Sequence, residues 1–251
     1  NTNKQTHFTY YKNLLNNYLK NLSNNKTWSV AFNKEKFNYF RKKKFKRPLK
    51  VLDVGGSPGI DAVLMLKKKI FQRIDITEYN KDIAKHIFKK TKINVYNFDL
   101  LKLKIINKKK YDLIILWNVI YYCKDLDKLF KIIKKNLNPG GVIILCSPVP
   151  TLGLVIKFGI IESYPPNFFY SIKSIKRSLS KNSIKINKVI FSQNKNFIKH
   201  NFFNFKNLYF FKKNFFLIIV SCYYIIRNLF NIFTKKKKLN LQNYILECKV
   251  K

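Results

Sequence analysis

Acidic and glycine residues are scarce in this chain and cluster in one part of it. Asp and Glu together number 12, and nine of them lie between residues 53 and 127. Five of the seven glycines fall in two groups, at 55, 56 and 59 and at 140 and 141. Because parallel sheets bind ligands where their strands end, this clustering predicts a ligand site built from strand-ending turns.

The strongest of these turns follows the apolar run that ends at Val54. Residues 51–59 read VLDVGGSPG, which predicts a buried strand, a glycine turn and then a helix. Glycine admits positive φ and lets a ligand approach the backbone closely. A dinucleotide fingerprint needs Gly-x-Gly-x-x-Gly, but counting back from Gly59 puts Val54 in the first glycine position. The turn therefore disfavours NAD.

Two further carboxylates are predicted at strand ends. Asp75 ends the next apolar run, and Asp99 closes the third. A carboxylate in the position of Asp75 can accept hydrogen bonds from two ribose hydroxyls. With Asp53, these residues would place three acids along one sheet edge, although each one alone is also explained as a helix N-cap.

The surrounding pattern predicts the elements that position these residues. Short apolar runs at 50–54, 71–76, 93–98, 111–117 and 141–147 alternate with Lys-rich helical segments. This alternation predicts an α/β fold with a mostly parallel sheet. Residues 1–47 predict a helical N-terminal cap, and 48–251 the main domain with a helix at 171–180. Further strands are predicted at 184–192 and 243–250, with an aromatic helical insert at about 196–240.

Taken in order, the motifs resemble those of class I S-adenosylmethionine-dependent methyltransferases over residues of about 50–148. The matching pieces are the 53–59 turn, Asp75 with Ala84 nine residues later, Phe98-Asp99, the YDLI of 111–114 and the NPGG of 138–141. The resemblance implies a doubly wound, Rossmann-like sheet of seven strands with an antiparallel last strand. It also implies S-adenosylmethionine as cofactor.

The resemblance further implies roles for individual residues. The glycine turn would lie along the methionine part of the cofactor, Asp75 would bind the ribose, and Asp99 would lie by the adenine amino group. We therefore expect Asp75→Ala to weaken cofactor binding with little loss of stability. The candidate cofactor-binding residues are Asp53, Gly55, Gly56, Ser57, Gly59, Asp75, Ile76, Asp99, Leu100 and Asn118.

The segment after the fourth predicted strand departs from many small-molecule members of the family. Residues 117–123 read WNVIYYC and contain neither His nor an acid. Asn118 remains a candidate for cofactor contact, and Tyr121 and Tyr122 for the substrate pocket, although helix packing explains the two tyrosines equally well. Methyl transfer tolerates a missing base, because positioning an acceptor in line with a good leaving group supplies much of the acceleration.

The charge and the cysteines restrict the remaining possibilities. The formal net charge is +39, yet only five of the 51 basic residues are Arg, the residue that best recognises phosphate. The four Cys are far apart and His numbers three, so we expect reduced thiols and no zinc site. The opening residues contain no apolar signal-peptide core, which predicts a cytoplasmic protein.

The aromatic insert bears on the choice of acceptor. Within 215–233 apolar residues recur at helical spacing, with Lys on both sides. A lid or core helix, a helix lying on a membrane surface and a membrane span all fit this pattern. The sequence thus predicts methyl transfer to a small-molecule or lipid-like acceptor. The alternatives are methylation of RNA, with no recognisable RNA-binding module, and a non-catalytic cofactor-binding module.

Overall fold

A computed structural model describes residues 2–23, 34–43, 45, 49–97, 110–148, 168, 170–192 and 243–250. Within this part of the chain seven strands form one sheet. They are β1 (Lys50–Val54), β2 (Arg73–Glu78), β3 (Val95–Asn97), β4 (Tyr111–Trp117), β5 (Leu137–Pro148), β6 (Ile184–Ser192) and β7 (Asn243–Val250). Their order is β3-β2-β1-β4-β5-β7-β6, with β1 to β5 parallel and β7 antiparallel to both of its neighbours.

Helices precede and connect the strands. In chain order they are α1 (Thr2–Ser23), α2 (Lys34–Lys42), α3 (Ile60–Lys67), α4 (Lys81–Thr91), α5 (Leu126–Lys135) and α6 (Ile172–Lys181). Side chains of Asn80, Asp125 and Ser171 accept backbone N–H bonds at the starts of α4, α5 and α6. The N-cap residue of α3 is Gly59, which has no side chain to form such a bond. The N–H groups in the first turn of α3 therefore have no capping side chain to donate to, and they lie beside the glycine turn.

The sheet has a packed core on each face, because side chains alternate along every strand. One core joins Leu52, Ile114 and Ile143 to residues of α5 and α6 such as Phe130 and Leu179. The other core joins alternate residues of the same strands to α1, α2, α3 and α4, including Leu15, Phe40, Met65, Ile87 and Ile115. The fold is therefore doubly wound.

Helix α2 runs across the strands rather than along them. Asp53, Ile115, Ile144 and Glu247 lie in one register row across β1, β4, β5 and β7. Lys36 at one end of α2 pairs with Asp53, and Tyr39 donates a 2.6 Å hydrogen bond to Glu247. The helix thus links the strand of the glycine turn to the antiparallel strand β7.

The predicted fold class, including the antiparallel last strand, is confirmed. Strand β2 differs from the prediction, because it ends at Glu78 instead of residue 76, and β5 begins earlier, at Leu137. The division into 1–47 and 48–251 stays a prediction. The insert at 196–240, with its 215–233 stripe, lies outside the described residues. Of the helices within the described ranges, none combines the length and apolarity needed to cross a membrane.

Candidate active site

The candidate site lies where β1 and β4 end side by side. From β1 the chain continues to β2 and β3 on one side of the sheet, and it then returns to β4 on the other side. The reversal leaves a crevice at the carboxyl ends of β1 and β4, where open α/β sheets bind ligands. The glycine turn follows β1 directly and borders this crevice.

Gly55 places that turn against the loop after β4. Its φ is +67°, and its N–H donates to the backbone oxygen of Thr77 at 3.1 Å and to Thr77 Oγ1 at 3.0 Å. A Cβ on Gly55 would lie 2.6 Å from Cγ2 of Val119. Both the backbone conformation and the contact therefore require glycine.

Asp53 and Gly56 form the floor of the turn. Asp53 is 1% exposed, and its Oδ2 lies 2.5 Å from Nζ of Lys36. A Cβ on Gly56 would lie 2.6 Å from the same Oδ2. Oδ1 of Asp53 is buried and accepts no hydrogen bond within the described part of the chain. A buried carboxylate oxygen in this state is suited to a donor supplied by a ligand.

Lys36 is buried between two carboxylates, since Oδ2 of Asp61 lies 3.7 Å from its Nζ. Burial disfavours the ammonium form, but Asp53 and Asp61 outweigh this effect and raise the pKa of Lys36. Nothing in the sequence pointed to this residue, because it is one lysine among many in a Lys-rich segment.

Asp75 does not lie at the sheet edge, and its expected position is corrected by the structure. It sits in the middle of β2, opposite Leu52 of β1, and is fully buried. Arg73 contacts both carboxylate oxygens, Nε to Oδ1 at 3.0 Å and Nη2 to Oδ2 at 2.9 Å, and the Tyr111 hydroxyl donates to Oδ2 at 2.9 Å. Asn94 and Tyr96 add weaker contacts. These partners use the acceptor sites of both carboxylate oxygens, so Asp75 belongs to a buried hydrogen-bond network within the sheet.

Glu78 occupies the position expected of Asp75. It is the last residue of β2, and its Oε2 accepts a hydrogen bond from the hydroxyl of Ser57 in the glycine turn. Its Oε1 accepts the N–H of Asn80 at 2.7 Å. The backbone N–H of Tyr79 also stabilises the carboxylate, and because a carboxylate has about four acceptor sites, acceptor capacity remains. Burial raises the pKa of Glu78, and the bonds from Ser57 and the backbone offset only part of that rise.

Sequence reasoning missed Glu78 because it placed the strand end at the last apolar residue. Asn80 carried the missing signal, since an N-cap residue fixes the start of α4 and shows how far β2 can run. Ile76 also moves from the predicted edge, because its side chain is fully buried in the core beneath Gly59. The residue that follows Glu78 in the chain is Tyr79, which is 47% exposed and corresponds to Ile76 after Asp75. Asn97 holds this strand end through bonds to the backbone oxygens of Glu78 and Tyr79.

A profile of the family described as "Methyltransferase domain" matches residues 20–189, which is more than half of the chain. The chain belongs to this methyltransferase family. With the observed sheet order, this makes it a class I enzyme whose methyl donor is S-adenosylmethionine. No curated protein matches the sequence significantly.

Solved methyltransferase structures share the fold at low sequence identity. A SAM-dependent methyltransferase from Archaeoglobus fulgidus is 19% identical, with a TM-score of 0.55 over 87% of this chain and 91% of that one. The StiE O-MT, residues 942–1257, is 16% identical, with a TM-score of 0.58 over 88% and 75%. The N-methyltransferase NodS from Bradyrhizobium japonicum WM9, in complex with S-adenosyl-L-homocysteine, is 12% identical, with a TM-score of 0.55 over 94% and 97%.

The described residues of this methyltransferase fit the cofactor. The unpartnered Oδ1 of Asp53 suits an ammonium group, and the remaining acceptor sites of Glu78 suit ribose hydroxyls. There is no space for a side chain at Gly55 or at Gly56, because a Cβ at either position would lie 2.6 Å from a neighbouring atom. The candidates Asp99 and Leu100 lie outside the described residues. Within the described ranges, no group of three or more His, Cys, Asp or Glu could hold a metal ion.

The loop after β4 forms the opposite wall of the crevice. Asn118 has a φ of +54°, and its N–H donates to the backbone oxygen of Cys146 at 2.9 Å. The rings of Tyr121 and Tyr122 pack edge to face, 4.6 Å between centroids. The backbone oxygen of Tyr121 accepts the N–H of Phe168 at 2.9 Å. The three predicted candidates are thus grouped in one loop that contacts the glycine turn through Val119.

Tyr170 secures the end of this loop. Its hydroxyl contacts the backbone oxygens of Cys123 and Lys124 at 2.6 and 3.1 Å, and its ring stacks with that of Phe168 at 6.1 Å. Burial raises the pKa of Tyr170 to about 12, so its hydroxyl stays a hydrogen-bond donor at neutral pH. Phe168 and Tyr170 therefore extend the aromatic group of the β4 loop.

Proposed function

We propose that this methyltransferase transfers the methyl group of S-adenosylmethionine to a small-molecule or lipid-like acceptor, and that Glu78 holds the cofactor's ribose. The observation that carries the cofactor assignment is the position of Glu78. It ends β2, it is bonded to Ser57 of the glycine turn, and no Lys or Arg among the described residues pairs with it. Its carboxylate therefore has acceptor capacity in the crevice where Asp75 has none.

The other cofactor contacts follow from the same geometry. Asp53 and the 55–59 turn would hold the amino-acid end, and Asn118 would approach the cofactor from the β4 side. Tyr79 takes the place that Ile76 had in the sequence prediction and would flank the adenosine. Asp99 and Leu100 remain predicted contacts at the adenine end.

When bound, the cofactor supplies a methyl group on a positively charged sulfur, which is an excellent leaving group. The chain's contribution is to position the acceptor in line with that methyl and to exclude water. Tyr121 and Tyr122 are the candidates for acceptor contact. Residues 117–123 contain no His or carboxylate, which favours an acceptor that does not need an early proton transfer.

An apolar or flat acceptor is supported by the aromatic side chains at the β4 loop. The similar structures include both an O-methyltransferase and an N-methyltransferase, so fold likeness favours neither oxygen nor nitrogen as the acceptor atom. RNA remains the second candidate because of the +39 net charge. A cytoplasmic location and membrane-surface contact through 215–233 stay predictions.

The experiment that tests the function is calorimetric titration with S-adenosylhomocysteine at moderate salt, followed by methyl-transfer assays on lipid, quinone, phenol, amine and RNA acceptors. Micromolar binding followed by turnover of a small or lipid-like acceptor would support the proposal. Turnover of RNA alone, with affinity that falls steeply with salt, would replace it with the second candidate. Absence of binding would contradict the cofactor assignment itself.

A further inference from the structure

A buried group of three charged side chains connects α2 to the glycine turn. Lys36 of α2 lies 2.5 Å from Oδ2 of Asp53 in β1 and 3.7 Å from Oδ2 of Asp61 in α3. The exposed fractions of the three side chains are 3%, 1% and 9%. The group is therefore shielded from solvent, and its members act strongly on one another.

Such a group is a poor way to stabilise a fold. Replacing a buried ion pair by apolar side chains of similar volume is often neutral or stabilising. The neighbouring residues of α2, Phe37 and Phe40, already pack into the apolar core. A charged residue at 36 therefore needs a reason beyond packing.

The geometry of Asp53 supplies one. Lys36 bonds to Oδ2 alone, while Oδ1 is buried without a hydrogen-bond partner among the described residues. The Gly56 backbone is close to this carboxylate, since a Cβ there would lie 2.6 Å from Oδ2. A cationic donor at Oδ1 would satisfy the oxygen that has no hydrogen-bond partner among the described residues.

We propose that Lys36 is a positioning residue for the cofactor: by fixing Oδ2 of Asp53, it directs Oδ1 toward the ammonium group of the cofactor's amino-acid end. This inference rests on the proposed function, since it takes S-adenosylmethionine to be the ligand. It also makes α2 docking and cofactor binding favour each other, because both use the Asp53 carboxylate.

The effect of removing Lys36 can be separated from a loss of structure by choosing two ligands. S-adenosylhomocysteine carries the amino-acid end, whereas 5′-methylthioadenosine keeps the adenosine and the sulfur but lacks that end. In Lys36→Met, Oδ2 of Asp53 loses its 2.5 Å hydrogen-bond donor, so the carboxylate is no longer held in the orientation that presents Oδ1 to the cofactor. We expect S-adenosylhomocysteine to bind about 10-fold more weakly or worse, with methylthioadenosine affinity changed by less than about 3-fold.

Tyr39→Phe is the matched control on the same helix. It removes the 2.6 Å bond to Glu247 of β7, which β4 and β5 separate from Asp53 of β1, and should leave the ratio of the two affinities unchanged. Equal losses for both ligands in Lys36→Met, unchanged affinities, or tighter S-adenosylhomocysteine binding would each overturn the positioning role. If the wild-type chain binds neither ligand, the proposed function itself fails.

A measurement on the wild-type chain avoids dependence on how well the variant folds. Hydrogen exchange of the α2 backbone amides should slow when S-adenosylhomocysteine is added and stay unchanged with methylthioadenosine at equal saturation. Equal protection by both ligands, or protection by neither, would contradict a link through the amino-acid end.

Discussion

Asp75 and Glu78 lie three residues apart in β2, and exchanging each for its amide should give opposite results. Asp75→Asn removes the charge from a fully buried group that Arg73 and Tyr111 contact. Breaking a buried pair costs about 3–5 kcal/mol. Because the Arg73 side chain is 41% exposed and can be solvated by water, we expect a smaller loss, about 2–3 kcal/mol.

For a chain of this length, that loss lowers the melting temperature by about 4–12 °C. Cofactor-product affinity should change by less than about 3-fold in the folded protein, because Asp75 does not reach the crevice. The sequence-based expectation for Asp75→Ala, weaker binding with little loss of stability, is thereby reversed.

Glu78→Gln should show the converse pattern. The amide can still accept from Ser57, but it loses charge-assisted bonds to ribose hydroxyls, each worth about 1.5–3 kcal/mol. We expect S-adenosylhomocysteine to bind about 10- to 100-fold more weakly. The melting temperature should stay within about 2 °C of the wild-type value or rise, because Glu78 is buried and pairs with no cation among the described residues.

Calorimetric titration and thermal melting of the two variants test this pair of expectations. Asp127→Asn serves as the control, since its side chain is 42% exposed on α5 and bonds to Ser178 and Lys181 of α6, and the substitution changes the net charge by the same amount. The reasoning would be refuted if Asp75→Asn lost binding at an unchanged melting temperature while Glu78→Gln bound normally.

Three further outcomes are expected. Burial raises the pKa of Glu78, so on acidification it takes up a proton at a pH above the ordinary Glu pKa of about 4.3. Affinity for S-adenosylhomocysteine should therefore fall as the pH is lowered through that range, and calorimetry on Glu78→Gln should show no such fall. Gly56→Ala should weaken titrated binding at least about 10-fold by displacing Asp53, whereas Gly140→Ala, whose Cβ meets no atom closer than 4.0 Å, should lower only the melting temperature. At pH 8 a thiol reagent should modify at most one of the four Cys in the native protein and all four after unfolding; a higher native count would contradict the burial of Cys123, Cys146 and Cys248.

The succession of strands along the chain could be predicted because its signals are local. Each parallel strand is a short apolar run bounded by turn residues, and the glycine turn and the strand-ending acids identify the edge that binds ligand. The exact end of β2 was not readable in the same way. Thr77 and Glu78 are polar but buried, and their burial depends on pairing with Tyr96 and Asn97 of β3.

The environment of Asp75 could not be read from the sequence because its partners are mostly distant along the chain. Tyr111 lies 36 residues away and Asn94 lies 19 away, and only the fold brings them to the carboxylate. Lys36 was missed for the related reason that Asp53 lies 17 residues away. In a chain with 51 basic residues, one more lysine carries no signal until its partner is known.

The charge environment of each buried carboxylate separates these roles better than its position in a motif does. Asp75 has the Arg73 guanidinium on both oxygens, so its charge is balanced within the fold. Among the described residues, Glu78 is bonded to a hydroxyl and to backbone amides but to no cation, and Asp53 keeps one oxygen without a donor. Leaving a buried charge incompletely balanced costs free energy, and a ligand that brings donors or a cation recovers it on binding. In a protein with a net charge of +39, where cations are plentiful, carboxylates left in this state are the ones we expect to bind the cofactor.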